Sequence, residues 1–373
     1  MKKSLVALAV LASCGAAMAQ SSVTMYGSLD AGIEKTPTRS ARVSNNVESN
    51  SRIGFRGVED LGGGLQASFV IETGLRSDTG GFSSNSGLAS IGNRQTWLSL
   101  GQKGVGTLSF GRGRVAAYNS TAKADPTAAS YGQNGDGATM LYSSANNSRF
   151  DNVIRFQTAV WSGFSADLAF GLHGDDRELR SPVDGGVTAA PIAPATPAVL
   201  NGSATRNISS ANKTGYSVHT QYAQGPLYVG FGVARSPARP APGGGDTDSK
   251  VYGASATYDL GVAKLFAGAE LDDRYNKNKY AGNLGVKAPL GAGTLMAWYG
   301  IDQNGGVGIN DKLKSAQVAY SYALSKRTNL YGALTNDTVR GAGTGSPTVV
   351  KASNNNTTVR DGTSYQVGIN HKF

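Results

Sequence analysis

Along most of the chain, apolar and polar side chains alternate in runs of roughly ten residues, broken by glycine-rich or polar stretches. In "SVTMYGSLDAGIE" (22–34), Val23, Met25, Leu29, Ala31 and Ile33 share one face, and Thr24, Tyr26, Ser28, Asp30 and Glu34 take the other. "LQASFVIET" (65–73) sets Leu65, Ala67, Phe69 and Ile71 against Gln66, Ser68, Val70 and Glu72. "FSADLAFGLH", "YSVHTQY", "LYVGFGVA" and "AQVAYSYAL" follow the same rule. Successive side chains of a strand point to opposite sides, so each run predicts a strand with one apolar face. Helical spacing is not sustained in any comparable window. The chain also ends inside such a run: in "SYQVGINHKF", Tyr365, Val367, Ile369, His371 and Phe373 share one face up to the last residue.

The connections alternate as well. Short turns are expected at 59–64, 101–106, 161–163, 223–226, 259–261, 289–293 and 324–328. Longer polar stretches lie near 35–50, 75–92, 116–148, 174–212, 236–248, 272–278, 302–312 and 336–361. Seven turns and eight loops in strict alternation imply sixteen strands, the pattern of an up-and-down barrel trimmed at one end. A soluble sandwich also alternates, with its apolar faces turned inward. Strand length, an even strand number and tyrosines at strand ends ("YSYAL", "MAWYG", "QYAQGPLY") favour a barrel that crosses a membrane. Closure follows, because an open sheet edge leaves backbone groups unpaired in hydrocarbon.

Processing and composition refine this reading. Lys2 and Lys3, the apolar Leu5–Ala12 segment and Ala17-Met18-Ala19 form a secretory signal peptide over 1–19, leaving one domain over 20–373. "LASC" (11–14) also fits a lipoprotein box with Cys14 as the acylated residue; cleavage after Ala19 removes this single cysteine. Without Lys2 and Lys3, the 35 basic residues become 33 against 25 acidic, a net charge of +8. The positive charges are scattered singly, which argues against nucleic acid as a partner. Glycine supplies 51 of 373 residues, yet the period-2 patterns exclude a disordered chain.

Taken together, "SSVTMYGSLDAGI", "SRIGFRGVEDLGGGLQASFVIETG", "NRQTWLSL", "GTLSFGR" and the terminal "YQVGINHKF" resemble the general porins of Gram-negative outer membranes, at intervals along essentially the whole mature chain. The resemblance implies an all-β, sixteen-stranded antiparallel barrel, a homotrimer and a third external loop folded inward to narrow the pore. It implies a last strand that pairs with the first, with Phe373 as the signal read by the outer-membrane assembly machinery. Surrounding partners are then outer-membrane lipid and lipopolysaccharide, and the solutes are small anionic or neutral molecules.

The resemblance places an arginine ladder on the barrel wall at Arg52, Arg94 and Arg149, facing carboxylates on the third loop. Parity puts Arg52 and Arg56 in the lumen if Ile53 and Phe55 face lipid, and Arg149 and Arg155 likewise if Phe150, Ile154 and Phe156 do. An arginine turned into lipid at mid-membrane costs roughly 2–4 kcal/mol, so inward placement is the cheaper arrangement. Arg94 shares the parity of Thr96, Leu98 and Leu100, and needs a place beyond the lipid belt or beyond a bulge. The 116–148 stretch is the candidate third loop. It lacks the acidic Pro-Glu-Phe-Gly motif of relatives and offers only Asp125 and Asp136, with Lys123 beside them. Weak anion selectivity is the expectation.

Other chemistries find little support. "GRGRVA" (111–116) fits a dinucleotide fingerprint but lacks the parallel βαβ unit that such a site needs. His173, His219 and His371 lack metal-ligand spacing, and no Gly-x-Ser-x-Gly elbow is present. Acid clusters at 174–178 and 270–274 read as solvated loop charges rather than a calcium site. No cofactor and no catalytic residue are expected. A barrel lipase and an adhesin that uses the barrel as an anchor are the competing readings.

Overall fold

The structure is a computed structural model, and it describes residues 22–37, 39–45, 47–83, 90–114, 116–128, 130–131, 149–172, 215–236, 249–273, 279–303, 312–340, 348–351 and 357–373. Residues 1–19, where a signal peptide is expected, and with them Cys14, as well as His173 and Asp136, lie outside these residues. The first strands are β1 (Ser22–Thr36), β2 (Arg39–Asn45), β3 (Arg52–Gly62), β4 (Leu65–Gly74), β5 (Gln95–Gln102) and β6 (Gly106–Arg114). After the short helix α1 (Tyr118–Ala122) come β7 (Arg149–Thr158), β8 (Phe164–Gly171), β9 (Gly215–Gln224), β10 (Leu227–Ser236), β11 (Ser249–Asp259) and β12 (Lys264–Asp272). The chain closes with β13 (Lys279–Leu290), β14 (Gly293–Gln303), β15 (Lys312–Ala323), β16 (Thr328–Arg340), β17 (Thr348–Lys351), β18 (Thr357–Arg360) and β19 (Gly362–Lys372).

Sixteen of these strands form a closed antiparallel barrel. Each of β3 to β15 pairs with the next in sequence, β16 pairs with β19, and β19 closes on β1, which pairs with β3. All seven expected short turns join barrel strands. Two of the expected loops carry strands of their own. β2, within 35–50, folds back on the far half of β1 from Ala31 to Thr36, while Ser22 to Ser28 pairs with β3. β17 and β18 make a separate hairpin within 336–361. These stretches are polar and short of apolar faces, so alternation alone does not reveal them; backbone pairing with an extended neighbour does.

The faces are inverted relative to a soluble protein. Leu98, Leu284, Val318, Leu334 and Val367 stand exposed on the outer wall, with Leu284 at 68%. Ser28, Asp30, Gln317, Gln366 and Asn370 are buried toward the inside, and Gln317 is 2% exposed. In water such a surface is unfavourable by about 25 cal/mol per Å² of apolar area; in a bilayer it is solvated. Tyr252, Tyr280 and Tyr365 near one set of strand ends, and Tyr258 and Tyr322 near the other, are exposed on the same outer face. This is the disposition of two interfacial aromatic girdles. No helix among the described residues is long and apolar enough to cross a membrane. The strands do the crossing.

Barrel closure reaches the last residue. Gly27 N–H donates to the Phe373 carbonyl at 3.0 Å, and Phe373 N–H donates to the Gly27 carbonyl at 3.2 Å. A β-carbon on Gly27 would lie 2.4 Å from the Phe373 ring, so the glycine leaves the space that the ring fills.

Candidate functional site

The segment after β6 turns into the barrel. Its residues are small: Ala116, Ala117, Ser120, Ala122 and Ala124 need little room, so the segment can lie against the wall without filling the lumen. Ala117 N–H donates to Ser217 Oγ on β9 at 2.7 Å, and Asn283 Nδ2 on β13 donates to the Ala124 carbonyl at 2.8 Å. Beyond α1, Tyr131 N–H donates to the Val47 carbonyl at 2.7 Å, and Ser130 Oγ donates to the Glu48 carbonyl. The Tyr131 ring packs edge-on against Tyr331 at 5.7 Å. Burial, with Glu48 and Asp30 close by, pushes the Tyr131 phenol up from its ordinary range.

Asp30 anchors the far end of that connection. Its carboxylate accepts the backbone N–H groups of Val47, Glu48 and Ser49 at 2.9, 3.1 and 3.1 Å. Tyr331 Oη donates to it at 2.9 Å and Asn370 Nδ2 at 3.3 Å. A buried carboxylate is tolerable only when its lone pairs are satisfied in this way. One residue thereby joins β1, the β2–β3 connection, β16 and β19.

Arginines gather where the segment leaves the wall. Glu72, at the end of β4, accepts Arg94 Nε at 2.6 Å and Tyr26 Oη at 3.0 Å, with Arg52 Nε at 3.7 Å. Arg52 also donates to the Asn50 carbonyl at 2.8 Å. Arg149 lies among Arg94, Arg112 and Arg114, and its Nε is buried. Arg112 pairs with Asp151 and donates from Nε to the Asn93 carbonyl at 3.2 Å. Arg114 stacks 4.0 Å over Tyr118 of α1. Deeper along the wall, Arg155 donates from Nε to Asp167 at 2.7 Å and lies 5.8 Å over Trp97; Arg56 lies 5.2 Å over Tyr26.

Of the residues read from sequence, Arg52, Arg94 and Arg149 come together, and Arg56 and Arg155 stand on the wall nearby. Arg94 precedes β5, so it escapes the strand's parity and turns in to meet Glu72. Phe150 departs from expectation. It is 7% exposed and packs with Trp97, Ala116, Val153 and Ala169 rather than facing lipid. A register shift between Gly111 and Gly113, opposite Asn152 at φ 54°, reverses the alternation at that point. Asp125 is buried, and its carboxylate accepts Thr127 N–H at 2.7 Å and Thr127 Oγ1 at 2.8 Å, closing its own turn. Three participants were missed. Glu72 sits on the polar face of its strand but carries no motif, and Arg112 and Arg114 lie inside "GRGRVA". Among the described residues, no group of three or more acidic, histidine or cysteine side chains is placed to hold a metal ion.

A family model described as Gram-negative porin matches residues 4–342. An outer membrane porin protein of Bordetella pertussis is 31% identical over 387 residues, covering 89% of this chain and 93% of its own length. The solved structure of an anion-selective porin from Comamonas acidovorans superposes with a TM-score of 0.73 at 26% identity, covering 95% of this chain and 100% of that one. OmpT, an outer membrane protein of Vibrio cholerae solved in a trimer form, shares the fold with a TM-score of 0.64 at 14% identity, covering 95% and 99%.

Proposed function

Because the chain belongs to the Gram-negative porin family, and is therefore a channel of the outer membrane rather than an enzyme, we propose that Arg52, Arg94 and Arg149 make its lumen weakly anion-selective. The observation that carries this reading is the charge balance where the inward segment leaves β6; Asp30 and Glu48 lie at the segment's other end. Arg52, Arg94, Arg114 and Arg149 gather at the β6 end, with Glu72 as the carboxylate partner of Arg52 and Arg94. Within a narrow aqueous passage bounded by low-dielectric walls, such an excess attracts anions and repels cations. The selectivity is weak because Glu72 neutralises part of the ladder. The similarity to a porin whose title calls it anion-selective points the same way.

The working unit of this proposal is a homotrimer embedded in outer-membrane lipid and lipopolysaccharide, passing small anionic or neutral solutes. Phe373 serves as the signal for the assembly machinery. Single-channel recording in planar bilayers tests the channel itself: ohmic steps in groups of three are expected. In a KCl gradient, Arg52→Ala combined with Arg149→Ala should move the zero-current potential toward cation preference. Lys103→Ala, in the turn between β5 and β6, should leave it nearly unchanged. A double mutant with wild-type potential would reduce the arginines to solvation of the wall.

A further inference from the structure

We infer that Gly232, Gly253 and Gly285 form the seat of the inward segment, and that their missing side chains set how far the segment stands off the wall and hence how wide the channel is. This rests on the channel reading above. The three glycines lie on lumen-facing positions of β10, β11 and β13, and Gly232 and Gly253 are direct cross-strand partners. A β-carbon on Gly232 would lie 2.6 Å from Ser120 Oγ and 2.9 Å from the Ala117 Cα. On Gly253 it would lie 2.6 Å from Thr121 Cγ2 and 2.7 Å from Ser120 Oγ. On Gly285 it would lie 2.8 Å from the Pro126 ring.

The requirement is for space and not for backbone freedom. None of the three has a positive φ, whereas the turn glycines Gly62, Gly104, Gly225 and Gly261 do. Glycine in the interior of a strand is unfavourable, because it packs nothing and loses the most entropy on folding. Three such glycines under one segment therefore serve the contact above them. Gly282 gives the contrast: it directly precedes Asn283 on β13, so it faces outward, and a β-carbon there would meet only the Gly268 carbonyl, at 3.4 Å. The hydrogen bonds from Ala117 to Ser217 and from Asn283 to Ala124 pin the two ends of the seated stretch. Between those bonds, Ser120 and Thr121 rest against Gly232 and Gly253.

Alanine at Gly253 or Gly232 should push α1 off its wall and into the lumen. The expected result in planar bilayers is a conductance lowered roughly twofold with a changed permeability ratio, because a constriction responds steeply to its radius. Gly282→Ala, on the outer face, should conduct as wild type. Adding Thr121→Ser and Ser120→Ala to Gly253→Ala removes the two obstructing atoms and should restore conductance. Assembly is followed by heat-dependent gel mobility. If Gly253→Ala fails to assemble, the triple variant decides: restored assembly and conductance support the seat, and continued failure overturns it. Wild-type conductance and permeability ratio in both Gly232→Ala and Gly253→Ala would also overturn it. A wild-type chain that opens no channel would refute the functional reading instead.

Discussion

Glu72 holds two guanidinium groups and a phenol at once, so it both orders the arginines and cancels part of their charge. Charge-assisted hydrogen bonds of this kind are shorter and stronger than neutral ones. Glu72→Gln keeps an acceptor for Arg94 while removing the negative charge. The expected outcome is a zero-current potential shifted further toward anions than wild type. A shift toward cations would mean that the carboxylate's positioning of Arg52 and Arg94 outweighs its charge. Sequence made Arg52 legible through its motif and its parity. It left Glu72 unremarked, because an acidic residue on a polar face has no local signal; its partners come from β1, β3 and the residue just before β5.

At the scale of elements, the joint between β1 and β19 decides whether the barrel closes. Eight residue pairs from Ser28–Lys372 to Lys35–Tyr365 run along it, and the Gly27–Phe373 pair extends it to the chain end. Each net backbone bond contributes about 1 kcal/mol, and overpacking costs roughly 1–3 kcal/mol. Deleting Phe373 should lower the yield of assembled barrel in the outer membrane, and Gly27→Val should do so by displacing the ring and crowding the Arg52 carbonyl of β3. Both are measured by the fraction of heat-modifiable protein in outer-membrane extracts. Normal assembly after loss of Phe373 would remove its role as a signal. The alternation of "SYQVGINHKF" announced this strand, but the glycine that accommodates its last ring lies more than three hundred residues away.

For the whole molecule, selectivity is a matter of screened electrostatics. The Debye length is about 10 Å at 0.1 M salt and about 3 Å at 1 M. If the arginine group acts across an open passage, the anion preference should fall toward that of bulk KCl between these concentrations. Reversal potentials at a fixed gradient and rising mean salt measure this. A preference independent of salt would point to dehydration at the constriction rather than to its field.

Period-2 alternation, the even spacing of turns and loops and the apolar terminal strand determined the barrel without any help from contacts. The reason is physical: a membrane-spanning sheet has to satisfy its backbone internally and present alternate side chains to lipid and water, so its pattern is written locally. The tertiary structure decided the rest. A bulge at Gly111–Gly113 reversed Phe150, and Arg94 turned inward from a position with no strand parity of its own. The inward course of Ala116 to Tyr131 depends on Ser217, Asn283 and Val47, which lie on distant parts of the chain. Such placements are set by where several strands converge, and no single stretch of sequence contains that information.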